Sequence, residues 1–66
     1  MDLKVLRNFV ALAEYGSILK AANALHISQP PLTKQMQLLE KEVGVTLFIR
    51  SSKGVQLTEK GTFLYR

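Results

Sequence analysis

The sequence of 66 residues contains no cysteine and a single histidine, His26. Without cysteine the chain can form neither a disulfide nor a thiolate metal site, and one histidine gives a metal ion too few ligands. The five Asp and Glu residues are not clustered, so no set of nucleophile, base and orienting group can be assembled. We therefore expect no enzymatic activity and no cofactor in this fragment.

The sequence also lacks a long apolar run. Lys4, Arg7 and Glu14 interrupt the apolar residues near the start, which argues against a signal peptide or a membrane span there. Four glycines, two prolines and 47% hydrophobic residues indicate a globular chain rather than a disordered one. At this length we expect one small soluble domain with a compact core.

Acidic residues are few relative to basic ones. Nine Lys and Arg oppose five Asp and Glu, which gives a net charge of +4, and such an excess is typical of a small nucleic-acid binder. Most of this excess lies in residues 17–53, which hold Lys20, Lys34, Lys41, Arg50 and Lys53 against Glu40 and Glu42. The sequence therefore predicts an anion-binding surface in the middle of the chain.

The spacing of apolar residues predicts three helices, over residues 3–15, about 18–25 and about 29–43. We expect the first helix to bury one face that consists of Leu3, Leu6, Phe9, Val10 and Ala13. Gly16 and Gly44 are predicted to end the first and third helices, and Ser17 is an N-cap candidate for the second. Residues 26–28 are too short for anything but a turn, in which His26 is expected to pack or to cap.

The third helix opens with Ser28, Gln29, Pro30 and Pro31. Prolines cost little in a first helical turn, because the backbone N–H groups there have no partner within the helix. A Ser28 cap would normally accept from the second or third helical N–H, and both prolines lack that group. Either Gln29 is the effective cap, or the Ser28 hydroxyl points outward and leaves a positively polarised helix end for an anion such as phosphate.

Beyond Gly44, residues 45–50 and 55–57 favour strands, and residues 51–54 favour a turn between them. Thr58 is predicted to start a fourth helix. Together these elements predict a mainly α-helical fold, a winged helix-turn-helix with a three-helix core and a two-stranded wing. We assign residues 1–58 to this domain and residues 59–66 to the beginning of a linker helix that the sequence cuts short.

The predicted core gathers the apolar faces of elements that are too short to be stable separately. Its members are Leu6, Phe9, Val10, Ala21, Ala22, Leu25, Ile27, Leu32, Met36, Leu39, Val43, Leu47 and Phe48. Glu40, Lys41 and Glu42 are expected to form a solvated face of the third helix.

Five motifs carry a family resemblance: Leu6-Arg7-Asn8-Phe9, residues 21–36 (AANALHISQPPLTKQM), Leu39-Glu40, residues 44–50 (GVTLFIR) and residues 55–61 (VQLTEKG). In order and spacing they resemble the N-terminal DNA-binding domain of the LysR-type transcriptional regulators, over essentially the whole chain. The sequence departs from the family pattern at Ile18, Thr33, Lys34 and Leu38. Lys34 matters most, because a lysine cannot reproduce the bidentate contact of the arginine that is common there.

The resemblance implies sequence-specific binding of double-stranded DNA, with helix 29–43 in the major groove and wing 48–57 at the minor groove or the backbone. Base-reading candidates are Gln29, Pro30, Pro31, Thr33 and Lys34. Candidates for the backbone or the minor groove are Ser17, Lys20, Ser28, Arg50, Ser51, Ser52 and Lys53. The resemblance also implies a cytoplasmic, nucleoid-associated bacterial regulator that forms a dimer or tetramer and carries an effector domain elsewhere. A competing hypothesis is a protein-interaction module that docks partners through Leu38.

Overall fold

The computed structural model describes residues 2–66 and has the predicted winged helix-turn-helix fold. Its elements, in chain order, are α1 (Leu3–Tyr15), α2 (Ile18–Leu25), α3 (Gln29–Val43), β1 (Phe48–Ser51), β2 (Gly54–Leu57) and α4 (Glu59–Tyr65). The two strands pair antiparallel and form the wing. Within residues 2–66, no helix combines the length and the apolar character needed to cross a bilayer.

The helix bounds agree with the predicted ones, but the first strand starts later than predicted. β1 begins at Phe48 rather than at Val45, because the backbone before it bonds to other elements. The Leu47 carbonyl accepts the Thr58 N–H at 2.9 Å, and the Thr46 carbonyl accepts the Thr58 hydroxyl at 2.6 Å. Strand propensity in residues 45–47 is thus overridden by tertiary hydrogen bonds.

The buried face of α1 differs from the predicted one. Asn8, Phe9 and Leu12 are buried, whereas Leu3 is 83% exposed. Asn8 belongs inside because its side-chain N–H donates to the side-chain oxygen Oε1 of Gln35 in α3 at 2.7 Å, which satisfies a polar group that would otherwise be costly to bury. An apolar pattern could not include this asparagine, and the predicted face also omitted Leu12, which lies on the buried side three residues beyond Phe9.

The core lies where α1, α2 and α3 meet, with Leu47 closing it from the connection to the wing. Its buried apolar members are Phe9, Leu12, Ala21, Ala22, Leu32, Met36, Leu39 and Leu47. The Phe48 ring packs on it, 5.3 Å from the Phe9 ring between centroids. The prediction was wrong for Ile27 and Val43, which are each 37% exposed. Both lie at the margins of α3, so helical periodicity overestimated their burial.

The fourth helix is anchored at both ends to the rest of the domain. The Thr58 hydroxyl oxygen caps its first turn by accepting the Gly61 N–H at 3.0 Å, and the same hydroxyl donates to the Thr46 carbonyl at 2.6 Å. Near its other end the Tyr65 hydroxyl donates to the Glu14 carboxylate of α1 at 3.2 Å. The negative charge of Glu14 raises the pKa of Tyr65 above its ordinary value, because it disfavours the phenolate.

Replacing Leu39 with alanine should lower the free energy of unfolding by about 2–5 kcal/mol, the usual cost of truncating a buried leucine. Leu39 is only 3% exposed, whereas its neighbour Leu38 is 56% exposed. Leu38→Ala is therefore a matched control and should stay within about 0.5 kcal/mol of the wild type. Urea denaturation of both variants measures the difference. Equal losses would remove Leu39 from the core.

Candidate nucleic-acid interface

The first turn of α3 is open to solvent. Ser28 is the N-cap residue, with extended backbone angles, and its side chain makes no cap hydrogen bond within the described residues. This confirms the consequence predicted from the two prolines, and Gln29 is the first helical residue rather than the cap. Gln29, Pro30 and Pro31 are all exposed. The positively polarised end of the helix is therefore accessible to an external anion.

Beyond the prolines, α3 presents a polar outer face. Lys34 is exposed and Thr33 is half-buried, while Leu32 and Met36 point into the core. The prediction did not include Gln37, which is exposed and lies one turn beyond Thr33. Since residues four apart share a helix face, the spacing of Gln29, Thr33 and Gln37 could have identified Gln37 as a further member of this polar face.

The N-terminal end of α2 carries two further predicted site residues, Ser17 and Lys20. Ser17 is its N-cap, and the Ser17 hydroxyl oxygen accepts the Lys20 N–H at 3.2 Å. The predicted capping role of Ser17 is thus confirmed, and its hydroxyl hydrogen remains able to donate to a phosphate. Lys20 is exposed. His26 caps the other end of α2, where its backbone N–H bonds to the Ala22 carbonyl.

The tip of the wing carries the remaining candidates. Arg50, Ser51, Ser52 and Lys53 are all exposed, and Ser51 pairs with Gly54 across the turn. The Ser51 hydroxyl oxygen accepts the Lys53 N–H at 3.2 Å, so this serine also shapes the turn. The two cations therefore lie on a short, hydrogen-bonded hairpin.

A cleft of about 100 Å³ separates α3 from the wing. Thr33 and Gln37 line it from the helix, and Arg50 lines it from β1. Arg50 reaches the cleft because side chains two residues apart share a face of a strand, and Phe48 already points towards the core. The fold thus brings the predicted wing arginine next to the polar face of α3.

Glu40 lies in the same cleft, and its predicted role was wrong. It is half-buried rather than solvated, and one oxygen of its carboxylate accepts the Leu47 N–H at 2.7 Å and the Phe48 N–H at 3.1 Å. Lys41 and Glu42 are exposed as predicted. Glu40 thereby joins α3 to the first residue of the wing, a contact that no local pattern of residues predicts.

The wing is also held from its other side. The Val55 N–H donates to the Gly16 carbonyl at 2.9 Å, which ties β2 to the turn between α1 and α2. Gly54 has φ +108°, and a Cβ added there would collide with the same Gly16 carbonyl oxygen. Only glycine fits this position without a shift of the turn or of the wing.

This fold and this surface define a winged helix-turn-helix DNA-binding domain. Residues 3–62 match the sequence profile of the bacterial regulatory helix-turn-helix proteins of the lysR family. The chain belongs to this family, and the resemblance inferred from its motifs is confirmed.

Relatives and solved structures agree with that assignment. The chain is 55% identical over 62 residues to the HTH-type transcriptional regulator ClcR of Pseudomonas putida, covering 94% of this chain and 21% of ClcR. It superposes with a TM-score of 0.94 on the BenM DBD in a complex with catB site 1 DNA, at 49% identity, covering 98% of this chain and 73% of that one. A complex of the CbnR DBD with DNA gives a TM-score of 0.93 at 46% identity, covering 98% of this chain and 75% of that one. The chain spans about one fifth of the length of ClcR and of the probable cat1 operon transcriptional activator of Acinetobacter lwoffii.

Replacing Gly54 with alanine should destabilise the domain in two ways, through its positive φ and through the collision with the Gly16 carbonyl. Gly44 is a matched control, because it has φ +78° but a Cβ there would meet no atom of residues 2–66 within 4 Å. We expect Gly44→Ala to cost about 1–2 kcal/mol of unfolding free energy for the left-handed backbone alone, and Gly54→Ala to cost more. Urea denaturation compares the two. If the losses are equal, the wing does not depend on its close approach to Gly16.

Proposed function

We propose that this domain reads a DNA sequence with the first two turns of α3 in the major groove, α2 across the backbone and the wing at the adjacent minor groove or backbone. The observation that carries this assignment is the open N-terminal part of α3, its first two turns, where exposed Gln29 and Lys34 stand beside a half-buried Thr33. An α-helix fits the major groove, and its N-terminal residues are those that meet base edges in helix-turn-helix proteins.

The side chains on the first two turns of α3 suit base recognition. Glutamine can pair bidentately with adenine, threonine can donate, accept or contact the thymine methyl, and lysine can donate to guanine. Pro30 and Pro31 add exposed apolar surface for contact with thymine methyl groups. Because Lys34 is a point charge, we expect weaker discrimination at its base than an arginine would give.

Other polar groups suit the DNA backbone. Ser17, Lys20 and Ser28 lie at the N-terminal ends of α2 and α3, where backbone polarity favours phosphate. Arg50, Ser51, Ser52 and Lys53 lie on the wing. Such contacts position a protein on the duplex but carry no sequence information by themselves.

We infer further that the domain belongs to a longer, cytoplasmic transcriptional regulator, as the names and lengths of its relatives suggest. In that protein α4 would continue and pair with a second copy in a dimer or tetramer. We assign no catalytic step and no cofactor to the domain. A protein-docking role through Leu38 has one supporting observation, a shallow groove that Leu38 lines with Val5 and Leu39, but it leaves the polar face of α3 without a function.

Replacing Gln29 with alanine should relax the base preference at one position of each half-site, by about 1–3 kcal/mol for a bidentate contact. Lys20→Ala should instead weaken binding to every sequence to a similar extent, and lower the slope of log affinity against log salt by about one. Competition binding to a panel of single-base variants at several salt concentrations separates the two effects. A uniform loss for Gln29→Ala would assign Gln29 to the backbone.

Replacing Arg50 with alanine should reduce affinity most on sites with A·T-rich flanks, because a narrow minor groove concentrates the negative potential that attracts a guanidinium. Lys53→Ala is the matched control from the same hairpin and should weaken both kinds of site alike. Titration of duplexes that differ only in their flanks measures this. Equal losses for Arg50→Ala on both duplexes would indicate a plain phosphate contact.

A further inference from the structure

We propose that Glu40 is a positioning residue for DNA recognition: its carboxylate holds the start of the wing against α3 and thereby places Arg50. This inference rests on the proposed function of the α3 and wing surface. It assigns to Glu40 no contact with DNA.

The Glu40 carboxylate binds the backbone at the start of the wing, an arrangement that we call the Glu40 clamp. One carboxylate oxygen accepts two successive N–H groups, from Leu47 at 2.7 Å and from Phe48 at 3.1 Å. Hydrogen bonds to an ionised acceptor are shorter and stronger than neutral ones. Since Glu40 is only half-buried, the clamp lies at the edge of the cleft rather than deep in the core.

The clamped residues lead directly to the DNA-facing side of the wing. Leu47 is held on both sides, by Glu40 at its N–H and by the Thr58 N–H at its carbonyl. Arg50 follows Phe48 by two residues on the same face of β1, at about 3.3 Å per residue. A change in the backbone at Phe48 is therefore transmitted to Arg50 through a single short stretch of strand.

Two simpler roles for Glu40 make different predictions. A solvated carboxylate near the DNA would repel phosphates, so its removal would raise affinity for every sequence. A residue that only stabilises the fold would, when replaced, affect binding equally whether or not Arg50 is present. Replacement of a positioning residue should instead lower the affinity for DNA only when Arg50 is present.

The test compares three substitutions at Glu40. Glu40→Gln removes the charge but keeps the length and an acceptor oxygen, whereas Glu40→Asp keeps the charge but is one methylene too short to reach both N–H groups. Positioning predicts that Gln, which keeps both hydrogen bonds in a weaker, neutral form, loses less affinity than Asp, and that Asp resembles Glu40→Ala. A role for charge predicts the opposite order. Glu59→Gln, which removes the same charge from an exposed side chain outside the cleft, is the control for net charge.

Binding is measured on A·T-flanked and G·C-flanked duplexes, with Arg50 present and with Arg50→Ala. We expect Glu40→Ala and Glu40→Asp to lose about tenfold in affinity on A·T-flanked sites, as for directly coupled residues, and to lose nothing further once Arg50 is replaced. Amide hydrogen exchange in the same variants should accelerate at Leu47 and Phe48 and not at Leu32. This local readout also shows that each variant is folded.

Two outcomes would overturn the inference, and they are distinguishable. If the wild type shows no preference among duplexes, the proposed function fails and the positioning role fails with it. If the wild type and Arg50→Ala behave as expected, but Glu40→Ala loses equally in both backgrounds or gains affinity, only the positioning role of Glu40 is wrong.

Discussion

The burial of one face of α3 determines what the rest of the domain can do. Leu32, Met36 and Leu39 are buried in the core. Their burial fixes the orientation of α3 about its own axis and therefore determines which of its side chains face outward. Transfer of these side chains from water is the dominant favourable term in so small a fold. The polar residues of the proposed DNA surface are thus oriented by the buried residues on the opposite side of α3.

The wing is held to the helices by hydrogen bonds as well as by the apolar packing of Phe48, Val55 and Leu57. Two four-residue strands are too short to be stable alone, and each is tied to a helical element. Glu40 holds the start of β1 from α3, and the Gly16 carbonyl holds β2 from the turn after α1. These bonds hold α3 and the wing in a defined relative position, which suits a surface that is proposed to meet two adjacent grooves of a duplex.

The helices could be predicted from the sequence because apolar periodicity and end signals are local properties. Residues 3–15 and 29–43 were bounded by Gly16 and Gly44, and both glycines are the C-cap residues in the structure. The burial of Asn8, the late start of β1 and the clamp at Glu40 were missed for one shared reason. Each depends on a hydrogen bond between groups that only the folded chain brings together. The proposed base contacts of Gln29, Thr33 and Lys34 stay predictions, since they depend on a partner.

The two prolines that open α3 affect both the capping of this helix and its capacity to bind an anion. They remove two of the N–H groups that a helix end would otherwise offer to a phosphate, and they leave the Ser28 side chain without its usual cap bond. The backbone at this end is consequently a poorer anion site than that of an ordinary helix. Binding by the proposed surface must then rely on the side chains of Ser28, Gln29 and Lys34. Because these side chains lie outside the core, we expect substitution of the base-reading candidates Gln29 and Lys34 to change the preferred DNA sequence without loss of the fold.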